Sequence, residues 1–148
     1  APEVVYTDEG VEAPRGWPST EGIGIPLLER DGVRRFNHFP LDPELVEHAR
    51  AALEAAGIPA HVGPALTVST CSGTTARGEA LARRYGALTE GMEGAALAHV
   101  CALYGVPFLE VRAVSNTVED RDLSTWRIRD AAEAAQRAVR ALLAAWPG

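Results

Sequence analysis

The chain has 148 residues, 47% hydrophobic, 23% charged and 6% aromatic, enough for one globular domain with its own core. Its 14 Lys and Arg stand against 20 Asp and Glu, a net charge of −6, which disfavours nucleic acid as a partner. No apolar run reaches the roughly 18 residues of a membrane span, and the two cysteines, Cys71 and Cys101, are too few for a disulfide framework.

Neither cysteine lies at CxxC or Cys/His ligand spacing, and no basic-apolar leader opens the chain, so a reducing cytoplasm is the expected setting. Residues 3–7 (EVVYT) read as a short strand. From Asp8 to Pro40 the chain is rich in Gly and Pro, with Asp31-Gly32 among its turn signals, and little regular structure is expected. So long a loop is often functional or interfacial.

Residues 42–57 form the first predicted helix: Asp42 can cap it, Pro43 suits its first turn and Gly57 can close it. Leu45, Val46, Ala49 and Leu53 mark its apolar face. A strand over 65–69 follows Pro64. Thr74 or Thr75 opens a second helix that ends at Tyr85 before Gly86, and a short strand covers 87–89. Residues 92–104 are predicted as a helix apolar nearly all round, hence buried on most sides. Residues 106–114 form an apolar run of the kind found in central parallel strands. The last helix spans about 127–145, with Ile128, Ala131, Ala135, Val139, Leu142 and Trp146 on its inward face. Alternating strands and helices predict an α/β domain with a mostly parallel sheet.

In such sheets ligands bind beyond the carboxyl ends of the strands. Three places qualify: residues 69–74 (STCSGT), Gly91-Met92-Glu93, and Ser115-Asn116. Glu93 opens an apolar helix, where the positive helix end favours a carboxylate whether or not it has another task. Asn116 is a turn residue or a ligand contact. Arg112 and Glu110 share a face, so Arg112 is either paired with Glu110 or turned to the site. The histidines, His38, His48, His61 and His99, lack ligand spacing, and a metal site is not expected.

Residues 91–116, GMEGAALAHVCALYGVPFLEVRAVSN, resemble the signature of the purine nucleoside phosphorylase and nucleosidase superfamily. There a Met-Glu pair opens a buried Ala-rich helix, and a Gly-Val-Pro turn leads into a hydrophobic strand with Arg and a Ser-Asp or Ser-Asn end. Residues 6–12 (YTDEGVE) and 67–74 (TVSTCSGT) extend the resemblance, and 120–126 (DRDLSTW) with Ser-Asn is closest to its hypoxanthine-releasing hydrolases. The resemblance implies a three-layer α/β phosphorylase/hydrolase-like fold with a mixed, mostly parallel central sheet. Superfamily members are longer at the amino end. This chain is therefore expected to be truncated there, as a single domain comprising the carboxy-terminal two-thirds of theirs, without the acid that positions the attacking water.

The implied activity is hydrolysis of a purine N-ribosidic bond, with no cofactor. Breaking that bond builds positive charge on the sugar and negative charge on the leaving base. By resemblance, Glu93 and Asn116 are the catalytic residues: Glu93 grips the ribose hydroxyls, and Asn116 donates its amide protons to N7 and O6 of a 6-oxopurine. Met92 packs against the ribose, Thr70, Cys71, Ser72 and Gly73 line the base pocket, Ser115 fixes the loop of Asn116, and Arg112 orients a carboxylate. The expected partner is a small purine nucleoside rather than nucleic acid or a membrane, and a homo-oligomer is expected, with residues 8–40 as a subunit contact. The alternatives are a phosphorylase for 6-oxopurines and a non-catalytic purine-binding relative.

Overall fold

The computed structural model describes residues 1–146. Four strands form the main sheet: β1 (Glu3–Tyr6), β4 (His38–Pro40), β5 (Ala65–Thr67) and β6 (Thr89–Gly91), in the order β4-β1-β5-β6. β1 runs antiparallel to β4 and parallel to β5, and β5 parallel to β6. The sheet is thus mixed and mostly parallel, as expected. β6 lies two residues beyond the strand expected at 87–89.

The 8–40 stretch holds more regular structure than its composition suggests. β2 (Leu28–Arg30) and β3 (Val33–Arg35) pair antiparallel. Asp31 and Gly32 both adopt positive φ (52° and 77°), the backbone of the two-residue turn whose twist matches paired strands.

Helix starts follow their caps. Helix α1 (Pro43–Ala55) has Asp42 accepting the Glu44 N–H at 2.8 Å, and α2 (Thr75–Tyr85) has Thr74 accepting the Arg77 N–H at 3.3 Å. Gly86 closes α2 and Gly105 closes α3 (Gly94–Tyr104), both in the left-handed conformation that glycine adopts without a steric penalty.

Two apolar clusters hold these elements. Val4, Phe39, Leu41 and Ala65 of the sheet side pack with Leu28 and with Ala95 and Ala98 of α3. Ala49 and Leu53 of α1 pack with Ala138 and Leu142 of α4 (Ile128–Ala145).

Three expectations are corrected. Helix α3 is buried along Gly94, Ala95 and Ala98 only, while Leu97, Val100, Leu103 and Tyr104 face solvent: its apolar circumference exceeds what the sheet covers. In α4 the buried residues are Ala138 and Leu142, whereas Ile128, Val139 and Trp146 are exposed. Residues 106–114 form no strand. A strand needs a ladder, and among the described residues the backbone of 107–114 joins none.

Candidate active site

The parallel strands β1, β5 and β6 deliver three turns to the same end of the sheet. After β1, the Asp8 carboxylate accepts the Ser69 N–H and the Thr7 hydroxyl, and faces Arg77 at 3.8 Å. Arg77 in turn donates to the Thr70 carbonyl at 3.3 Å. The turn after β5 is held from β6 as well: Glu90 Oε1 accepts the Ser72 N–H at 2.8 Å. Asp8 and Glu90 therefore clamp the 69–73 turn from two neighbouring strands. Sequence reasoning missed both, although each is an acid at or next to the carboxyl end of a strand.

The turn after β6 brings Met92 and Glu93. Glu93 stands in the N-cap position of α3 without a side-chain capping bond. Instead the buried Thr67 hydroxyl accepts the Ala95 N–H at 2.8 Å, so a residue on β5 fills one of the unpaired donors of the helix start. The Glu93 carboxylate is exposed and accepts the Met92 N–H at 3.0 Å. The Met92 Sδ lies 3.5 Å from Cys71 Sγ, joining this turn to the one after β5.

A cavity of about 710 Å³ opens beside these turns. Cys71, Ser72, Arg112, Ser115 and Asn116 lie on its wall, with Glu90. Thr70, Gly73, Met92 and Glu93 are not among the residues that line it. Ser72 Oγ is buried without a hydrogen-bond partner. Asn116 accepts the Ser115 hydroxyl at 2.6 Å and donates to the Thr117 carbonyl at 2.8 Å. Arg112 pairs with Glu110 at 2.8 Å and donates to the Leu66 carbonyl at 3.0 Å. The 115–126 loop reaches back to α2, where Asp120 accepts the Thr75 N–H at 3.1 Å. Among the described residues, no group of three or more His, Cys, Asp or Glu is placed to hold a metal ion. No helix there is long and apolar enough to cross a membrane.

An α/β sheet with its clefts at the strand ends is a common frame for small-molecule enzymes. The chain belongs to the phosphorylase superfamily, whose family model matches residues 3–144. It is 43% identical over 145 residues to a futalosine hydrolase of Thermus thermophilus, covering 96% of this chain and 61% of that protein. It is 42% identical over 137 residues to a futalosine hydrolase of Streptomyces coelicolor, covering 92% of this chain and 55% of that one. The chain thus spans 55 to 61% of the length of these two relatives. The solved futalosine hydrolase of Helicobacter pylori shares the fold, with a TM-score of 0.77 at 18% identity over 99% of this chain and 59% of that one.

Proposed function

We propose that this chain is the carboxy-terminal part of a nucleosidase that hydrolyses the N-ribosidic bond of futalosine, releasing hypoxanthine and leaving dehypoxanthinyl futalosine. The names of its relatives, at 42 and 43% identity, support that substrate. The observation that carries the reading is the cavity wall shared by Asn116, Ser115, Cys71 and Ser72.

In this reading the base lies against that wall. The Asn116 amide leaves the Thr117 carbonyl and donates to N7 and O6 of the 6-oxopurine, and the unpartnered Ser72 hydroxyl offers a further polar contact. Donation to N7 stabilises the departing purine anion. Glu93 leaves its own backbone contact and accepts from the ribose hydroxyls, and its charge favours the electron-poor sugar. Met92 packs on the ribose, with Thr70 and Gly73 completing the turn beside the base. In this proposal the residues that position the attacking water are assigned to a segment of the enzyme outside this chain. We further propose that the protein works in the cytoplasm and as a homo-oligomer, the association being supported by the solvent-facing apolar side of α3.

The test is Asn116→Asp in the enzyme completed with that segment, assayed for free hypoxanthine from futalosine and inosine. A protonated carboxylate donates once where the amide donates twice, so release should fall about 100-fold, with weak activity on adenosine gained. Equal hypoxanthine release by both versions would sink the assignment of Asn116. A requirement for phosphate would replace the hydrolase by a phosphorylase.

A further inference from the structure

Glu110 has no part in the roles given above, yet its side chain is only 12% exposed and that of its partner Arg112 only 18%. Burying two charges costs free energy unless geometry and further hydrogen bonds compensate. Here Arg112 Nη2 meets Glu110 Oε1 at 2.8 Å, and Arg112 Nη1 donates to the Leu66 carbonyl of β5 at 3.0 Å.

What the pair packs against is the turn that carries Met92 and Glu93. That turn is bracketed by Gly91 and Gly94, and the pair occupies the space their missing side chains leave. A Cβ on Gly91 would sit 2.8 Å from Arg112 Nη1. A Cβ on Gly94 would sit 2.2 Å from Glu110 Oε1 and 2.5 Å from Arg112 Nη2. No side chain but glycine fits at either place without moving the pair. The two charged residues are two apart in extended chain, so they present to the turn together. Among the described residues the backbone of 107–114 joins no ladder, so the Arg112 bond to Leu66 is a side-chain tie between this segment and the sheet.

We propose that Glu110 is a positioning residue: by holding Arg112 in the hollow formed by Gly91 and Gly94, it braces the turn that presents Met92 and Glu93. Its consequence for ligand rests on the nucleoside reading of the site, since the braced turn is the one assigned to the sugar. Glu110→Ala leaves the guanidinium buried without its counter-charge, and the turn loses its support. Glu110→Gln keeps the side-chain shape and an acceptor oxygen but removes the charge.

The experiment has two arms, both on the enzyme completed with the segment outside this chain. Amide exchange followed by mass spectrometry reads the turn directly. In Glu110→Ala, exchange over residues 91–95 should accelerate tenfold or more while α1 is unchanged, and Glu110→Gln should show a smaller effect in the same place. Gly94→Ala should loosen the same turn by displacing the pair. The double variant Gly94→Ala/Glu110→Ala should be no looser than either single variant, because the clash and the brace are one contact. Multiplicative effects, uniform acceleration or no acceleration would each overturn the proposal. If Glu110→Ala does not fold, Glu110→Gln alone decides by whether its acceleration is confined to 91–95.

The second arm titrates hypoxanthine and inosine by calorimetry. Glu110→Gln should weaken inosine tenfold or more and hypoxanthine less than twofold, since only the nucleoside carries the sugar. Equal weakening of both ligands would overturn the positioning role. Failure of the unaltered enzyme to bind either ligand would sink the nucleoside reading, leaving the exchange arm to judge the brace.

Discussion

Asn37, in the amino-terminal half, commits both ends of its amide to distant parts of the chain, whereas Asn116, on the cavity wall, bonds only to Ser115 and Thr117 among the described residues. Asn37 Oδ1 accepts the Thr20 N–H at 2.9 Å and the Thr20 hydroxyl at 2.8 Å. Its Nδ2 donates to the carbonyls of Tyr6 and Glu9 at 3.0 and 2.7 Å. At 2% exposure the side chain is sealed in, with the four hydrogen bonds an amide can make all satisfied. It ties β1 to the long loop that precedes the β2–β3 hairpin. Asn116 has no such reach, and its amide can change partners without disturbing the fold. One asparagine locks distant segments together, and the other holds contacts with its chain neighbours.

The contrast extends to the walls around them. The amino-terminal half closes over Val4, Val5 and Phe39, all at most 2% exposed. The carboxyl-terminal segment leaves Val106 and Val114 exposed and borders a second cavity lined by Leu53, Leu109, Val111 and Ala138. Apolar surface without cover is the usual mark of an interaction face, and here it borders the 107–114 stretch, whose backbone joins no ladder among the described residues.

The sharpest way to break this comparison is to truncate each asparagine. Asn37→Ala leaves two donors and two acceptors unpaired in a sealed site and should cost about 3 kcal/mol. Asn116→Ala removes only bonds to adjacent residues and should cost less than about 1 kcal/mol. Urea denaturation of both variants measures the difference, and equal losses would erase the distinction between lock and local contact.

What the sequence made legible followed from how local the physics is. The boundaries of α1 and α2 were readable because Asp42, Pro43, Thr74 and Gly86 act on their own turns. The mostly parallel character of the sheet was legible in the alternation of strands and helices, whereas its mixed character, set by the antiparallel β1–β4 pair, was implied only by the family resemblance. The 106–114 run has the composition of a central strand, but pairing depends on partners that its own residues do not reveal. The β2–β3 hairpin was missed because its strands are three residues each and rich in Arg and Glu, although its Asp31-Gly32 turn was visible. At the site, Cys71, Ser72, Arg112, Ser115 and Asn116 were named from strand-end positions and family resemblance, and all five line one cavity. Asp8, Glu90 and Thr67 were not, because each acts on a residue from a different strand or turn, and no local pattern encodes those meetings.

A smaller effect is expected at Thr67, which sharpens the same comparison from inside the site. It belongs to the closed half and caps a helix that serves the open one. Thr67→Val keeps the shape and removes the hydroxyl that receives the Ala95 N–H. The loss should be about 1 kcal/mol, in the range of a lost N-cap, and Thr67→Ser should restore most of it. Thermal unfolding reads the size of the effect. Were Thr67→Val as stable as the parent, Glu93 rather than Thr67 would be the working cap of α3, and its carboxylate would not be available to a sugar.

The smallest effect concerns the short 3₁₀ turn Leu123–Thr125 in the open half. The Asp122 carboxylate accepts the Ser124 hydroxyl at 2.7 Å and the Ser124 N–H at 2.9 Å, and these bonds hold its pKa below the ordinary aspartate value. A carboxyl with a lowered folded-state pKa adds stability that is complete above the unfolded value and is lost as pH falls through the folded one. The turn should therefore stay ordered at neutral pH and loosen only in acid, below the usual carboxylate range, with no matching change at the Asn37 amide, which does not titrate. Asp122→Asn should abolish this acid dependence. The Ser124 amide resonance followed by NMR down the acid range would show it, and a titration unchanged by that substitution would assign the loosening to another carboxylate.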